Sequence, residues 1–182
     1  MPKLKALVLD FDSTISTPTF IQRLGQWAVA DKVAVFRSMS HDEQIANFGG
    51  TERIQALSQL LTELEAAGIA LHIISIGHKA AFVPHLEAVG LRRFFDDSRV
   101  FGQDSVELRE VEFVKAHLIS KLMAASGWGH GDLLFVDDSE GHIQKAQAVC
   151  STLLVSAESK STVGGMAAPE LDAIRRAALA DL

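Results

Sequence analysis

Leu7-Val8-Leu9-Asp10-Phe11-Asp12-Ser13-Thr14 is the stretch whose reading decides the fold. Leu4 and the run from Ala6 to Leu9 are apolar without a break, the pattern of a strand buried on both faces of a parallel sheet. The run stops at two carboxylates and two hydroxyls. Open α/β sheets carry their chemistry at such strand ends. Two aspartates two residues apart repel, so they need a cation, a shared proton or a phosphoryl group nearby. Alone, Asp-x-Asp-x-Thr reads equally well as a turn after a strand, and the rest of the chain has to decide.

Downstream, apolar strand patterns alternate with helical ones. Helical spacing runs over 19–39, with Phe20, Leu24, Trp27, Val33 and Phe36 as its apolar members and Asp31 as an interruption; a second start lies at Ser40-His41-Asp42-Glu43. Asn47-Phe48-Gly49-Gly50 reads as a turn, since it follows no strand and lacks the Lys-Ser/Thr of a phosphate loop. Thr51 is expected to cap a helix that Gly68 ends. Strand 69–75 follows, then helix 80–89 and a short strand at 99–101. Asp104 and Glu107 have capping-box spacing at the head of a helix expected to reach 125. Strand 133–136 runs into Asp137-Asp138-Ser139. Helix 141–149, strand 152–155, a polar loop 156–165 and a helix over 169–182 complete the chain. This alternation predicts an α/β fold, a doubly wound parallel sheet with helices on both faces and a small helical insertion after the first strand.

The 182 residues suit a single domain, 1–182. A formal charge of -6 argues against nucleic acid or an anionic membrane as partner, and no apolar run approaches the ~18 residues of a membrane span. Together with the lone Cys150, which cannot form an internal disulfide, this leads to an expectation of a cytoplasmic protein; oligomers remain possible. The seven histidines show no pair at metal-ligand spacing. His78 and Lys79 stand out because they follow Ser75 at a strand end.

In a parallel sheet, Asp10/Asp12, Ser75 and Asp137/Asp138 share one edge. So many carboxylates need a hard cation, and oxygen-only ligation suits Mg²⁺. An anionic ligand also needs a positive side chain, for which Lys115 and Lys121 are the candidates on the preceding helix. The set Asp10-x-Asp12-x-Thr14, Ser75, Lys115 and Asp137-Asp138 resembles, in order, the four motifs of the haloacid dehalogenase superfamily, over residues 4 to 155. Lys115, its spacing to the acidic pair and Lys115-Ala116-His117-Leu118 resemble its magnesium-dependent phosphatase branch. The resemblance implies a Rossmann-like core and hydrolysis of a phosphorylated small molecule or phosphoprotein. It makes Asp10 the nucleophile and Asp12 the general acid and base. Asp10, the Asp12 carbonyl and Asp138 would hold Mg²⁺, with Asp137 in support. Phe11, Thr14, Ser75, Ile76, Gly77 and Lys115 would meet the substrate. Asp12 favours phosphate chemistry, because the superfamily's dehalogenases lack it. His142, where that branch often has Asn, and Ile76, where a polar residue is common, depart from the pattern.

A phosphoacceptor receiver domain gathers similar residues, but there the acidic pair comes first and the lysine last. A binding module that kept the fold without catalysis is a further alternative. Residues 15–50 leave room for only a minimal cap or flap, expected to use Phe20, Leu24, Trp27 and Phe36 and to shield the site partly. That would admit bulky substrates such as a phosphoprotein or a sugar phosphate.

Overall fold

The computed structural model describes residues 4–24 and 26–179. Five parallel strands form one sheet in the order β3-β2-β1-β4-β5: β1 (Ala6–Leu9), β2 (Ala70–Ile74), β3 (Val100–Phe101), β4 (Leu133–Asp137) and β5 (Ser151–Leu154). Leu9 is level with Ile73 on one side and Val136 on the other, so Asp10 and Asp137 emerge side by side. The strand order reverses between β1 and β4, and crevices for ligands form at such switch points.

The strands that meet the core are apolar, but for a buried His72 in β2, because both faces of the sheet are covered. On one face Leu7, Leu9, Ile73 and Val136 pack with α4 (Thr51–Ala66), α5 (Lys79–Ala88) and α10 (Ala168–Leu179). On the other, Val8, Ile74 and Phe135 pack with α6 (Val106–Glu110), α7 (Lys115–Ser126) and α8 (Glu140–Ala146). The expected doubly wound sheet is therefore what the chain forms. Among the described residues no helix is long and apolar enough to cross a membrane.

Several local expectations need correction. The pattern over 19–39 is two helices, α1 (Thr19–Leu24) and α2 (Val29–Ser38), parted before Asp31 rather than at it. Phe20, Leu24 and Phe36 form their small core, but Trp27 is 51% exposed and lies outside it. Ser40 does open α3 (His41–Ala46), with a complete capping box to Glu43. The cap of α4 is Gly50 at φ 100, with Thr51 already helical. The helix expected over 104–125 is broken between α6 and α7, where Glu112 and Phe113 take positive φ. Asp104 does not cap α6. Its carboxylate accepts from the N–H groups of Lys79 and Ala80 at 2.6 and 3.1 Å, capping α5 from across the loop. Inside the expected polar loop Ser156 caps a short helix, α9 (Ala157–Thr162). The expected end of the last helix at Leu182 lies outside the described residues.

Candidate active site

A tight turn over Phe11–Ile15 follows β1, with Asp12 still extended and Ser13 at φ 59. A side chain other than glycine is strained there by ~1–2 kcal/mol, and the reversal keeps Asp12 near the strand end that carries Asp10. Thr14, wholly buried, donates from Oγ1 to Asp10 Oδ2 at 3.4 Å. The break before α7 makes Lys115 the first residue of that helix, with its side chain 2% exposed. Lys115 Nζ donates to Asp10 Oδ1 and to Asp137 Oδ2, each at 2.6 Å. Lys121, the other candidate, lies on the surface beside Glu110.

Ser75 ends β2 and accepts the Gly77 N–H on Oγ at 3.0 Å. A methyl group on Gly77 would sit 3.1 Å from Asp12 Oδ2 and 3.2 Å from Ser75 Oγ, so the backbone there closes directly onto both side chains. Phe11 stacks on Phe82, ring centroids 5.0 Å apart. Ile76 is half-buried and packs toward the sheet face that carries α7.

Asp137 is fully engaged: Lys115 and His142 Nδ1 meet Oδ2 at 2.6 and 3.1 Å, and the Ser139 N–H donates to Oδ1 at 2.8 Å. Burial alone would raise its pKa, but the hydrogen bonds from His142 and Lys115 hold it below the usual carboxylate range. Asp10 goes the other way. Burial pushes it up to about 7, with the charges of Asp137 and Asp12 adding to the effect and Lys115 opposing it. Burial also lifts Asp12 to about 6, against the pull of Lys115 and Lys32, and it raises Asp138, aided by Asp137. Lys115 is raised: burial favours its neutral form, and Asp10 and Asp137 outweigh that.

Carboxylate oxygens of Asp10, Asp137 and Asp138 lie within 4.8 Å of one another. This all-oxygen, charge-rich donor set fits a hard divalent cation. Both oxygens of Asp137 are committed to Lys115, His142 and Ser139, whereas Asp10 holds Lys115 on Oδ1 and only a long 3.4 Å bond from Thr14 on Oδ2, so Asp10 Oδ2 and Asp138 are better placed to ligate. The carboxylate of Asp12 is not part of the cluster.

Four further residues reach the site or its supports. His142, noted only as a departure, orients Asp137. Lys160, on the unforeseen α9, donates to the Asp138 carbonyl at 3.0 Å. Arg53, 8% exposed, donates to the carbonyls of Thr14, Ile15, Phe48 and Met166 at 2.6 to 2.9 Å, pinning the turn that follows β1. It was legible as a charge in line with Leu57, Leu60 and Leu64 on the buried face of α4. Lys32, from α2, is 9% exposed. With Phe11, Asp12, Phe20, His78 and Phe82 it lines a cleft of ≈ 30 Å³, and nothing in its helical spacing foretold that. His78 thus joins the cleft, while Lys79 turns outward to Asp97.

No family model matches the chain, and no curated protein is recognisably similar to it. Solved structures do resemble it. A hydrolase of this superfamily from Deinococcus radiodurans, with bound phosphate and sodium, superposes with a TM-score of 0.58 at 16% identity, over 96% of both chains. A predicted phosphoglycolate phosphatase from Haemophilus somnus gives 0.54 at 15%, over 91% of this chain and 88% of that one. An enzyme from Bacteroides thetaiotaomicron, in complex with magnesium and inorganic phosphate, gives 0.50 at 14%, over 92% and 98%.

Proposed function

Starting from a fold shared with haloacid dehalogenase-like hydrolases, we propose that this protein is a Mg²⁺-dependent phosphomonoester hydrolase working through an aspartyl-phosphate on Asp10. One observation carries the reading: a single turn presents two aspartates in different surroundings. Asp10 is clamped by Lys115 at 2.6 Å. Asp12 lies outside the cluster of possible metal ligands and lines the neighbouring cleft. A carboxylate held inside the charged cluster suits a nucleophile, and one outside it that opens on the cleft suits an acid and base.

In the first step an Asp10 oxygen bonds to phosphorus as the bond to the leaving oxygen breaks, and Asp12 gives that oxygen its proton. In the second, Asp12, now a carboxylate, takes a proton from the water that attacks phosphorus, and the bond to Asp10 breaks. Lys115 and Ser75 would hold the phosphoryl oxygens as charge develops. Thr14 keeps Asp10 oriented, and His142 does the same for Asp137. Mg²⁺, held by Asp10, Asp138 and the Asp12 carbonyl, would offset the repulsion between the nucleophile and the phosphate dianion.

Release of p-nitrophenol from its phosphate ester, with Mg²⁺ and after chelation, tests this. Asp10→Asn should abolish turnover. Asp12→Asn should still release a burst of about one equivalent, because an activated leaving group needs no acid in the first step. Full activity in either variant rejects the assignment.

A further inference from the structure

We propose that Lys32 recognises a second anionic group on a compact phosphomonoester, so that the leaving group is short and itself negatively charged. The inference rests on the phosphohydrolase reading above. If Asp12 protonates the leaving oxygen, that oxygen lies within hydrogen-bond reach of the Asp12 carboxyl, and Asp12 lines the cleft between the insertion and the core. Whatever the leaving oxygen carries must therefore extend into that cleft.

Its volume is ≈ 30 Å³, where one ordered water needs ~10–15 Å³, so two or three water-sized groups fit inside it. That suits a leaving group of a few heavy atoms. Phe11, Phe20, Ile21, Ala81 and Phe82 give most of the wall no polar atoms on their side chains. Lys32 supplies the charge there, and His78 a neighbouring polar edge. Lys32 is 9% exposed, and an ammonium so far withdrawn from water attracts an anion more strongly than one on an open surface. Lysine is a compact point charge without the forked geometry of arginine, so a carboxylate or a second phosphate would serve equally.

The competing role for Lys32 is a fixed counter-charge to Asp12, on which it acts electrostatically. A pair of probes alike in shape separates the two: 2-phosphoglycolate and its uncharged amide, hydrolysed by the full-length protein with Mg²⁺. Wild type should favour the acid in kcat/KM by ~10- to 100-fold, the range expected of one charge-assisted contact. Lys32→Gln should bring that ratio close to one, and Lys32→Arg should retain most of it. If Lys32→Gln slows both probes alike and leaves the ratio intact, Lys32 is a counter-charge and the inference fails. It fails too if a phosphoserine peptide is a better substrate than the acid. Turnover of p-nitrophenyl phosphate without discrimination between acid and amide overturns this inference alone. A wild-type protein inert toward all of them overturns the phosphohydrolase reading and this inference with it.

Discussion

Replacing Lys115 with methionine keeps the bulk of its stem and deletes the ammonium. In the intact protein Nζ lies 2.6 Å from both Asp10 and Asp137, whose side chains are 7% and 1% exposed. Breaking one buried ion pair by removing a partner costs ~3–5 kcal/mol, because the charge left behind is unpaired. Here two carboxylates are stranded together. The loss has a ceiling, since Asp10, already up at about 7, can take a proton instead, and without the pull of Lys115 its pKa climbs further. A carboxyl whose folded pKa lies above its unfolded value binds more protons when folded. Its penalty is therefore absent at acid pH, grows as pH rises from the unfolded value and levels off above the folded one. The deficit of Lys115→Met should reach ~3–5 kcal/mol near pH ~8, a drop in Tm of roughly 6–20 °C for a chain of this size, and shrink near pH ~5 to the part due to Asp137, which stays charged there. Urea and thermal denaturation in the presence of a chelator at both pH values measure it. A deficit below ~1 kcal/mol at the higher pH, or one that does not shrink on acidification, would refute the placement of this ammonium between two charged carboxylates.

Asp138→Asn should raise the Mg²⁺ concentration needed for half-maximal activity by ~10-fold or more, one ligand charge being lost, and titration calorimetry should show the same weakening. Lys121→Ala, on the surface beside Glu110, should leave both activity and stability within ~0.5 kcal/mol of wild type. His85 stacks on Phe36 at 3.9 Å and meets Phe20 edge-on, and burial pushes its pKa from 6.5 down to about 4. The unfolded chain therefore binds the extra proton between those values, so stability falls as pH drops through that window, by up to ~1.4 kcal/mol per pH unit for this one group. His85→Phe should flatten that part of a stability–pH curve, and an unchanged slope would show that His85 is not held neutral. Asp104→Ala should destabilise the protein by ~1–2 kcal/mol in urea, the value of a lost helix cap, although the residue precedes a helix other than the one it caps.

The strand ends were legible because a buried parallel strand leaves little room for charge until it stops; even His72, in the middle of β2, is kept neutral by burial, which pushes its pKa down to about 4. Where the apolar run breaks, at Asp10, Ser75 or Asp137, the sheet edge begins. Lys115 could be found from its spacing to the acidic pair, although the helix expected to carry it is broken just before it. That break was hidden because Leu108, Val111, Val114 and Leu118 keep helical spacing across it, and the positive φ of Glu112 and Phe113 is imposed without glycine. Asp104 had the right spacing for a cap and the wrong helix to cap, because a carboxylate satisfies whichever N–H groups the fold brings to it. Lys32 was out of reach for a related reason. Which face of α2 meets the core depends on Phe20 and Phe36 closing over His85, a contact between segments far apart in sequence. Trp27, the most hydrophobic-looking member of the insertion, stays exposed because it falls between helices.

Arg53 Nη1 accepts no choice of partner: it donates at once to the carbonyl of Ile15, where the chain leaves the core, and to that of Phe48, where it returns, at 2.6 and 2.8 Å. The insertion is thereby drawn shut at its neck by one guanidinium nitrogen. What hangs beyond the neck can be lengthened or exchanged without moving the turn that bears Asp10 and Asp12, and since closing a loop costs only ~0.6 kcal/mol more for each doubling of its length, the core would tolerate a much larger lid. The turn that bears Asp10 and Asp12 and the helices beyond the neck thus meet at a single fastening, and Arg53 is the clasp between them.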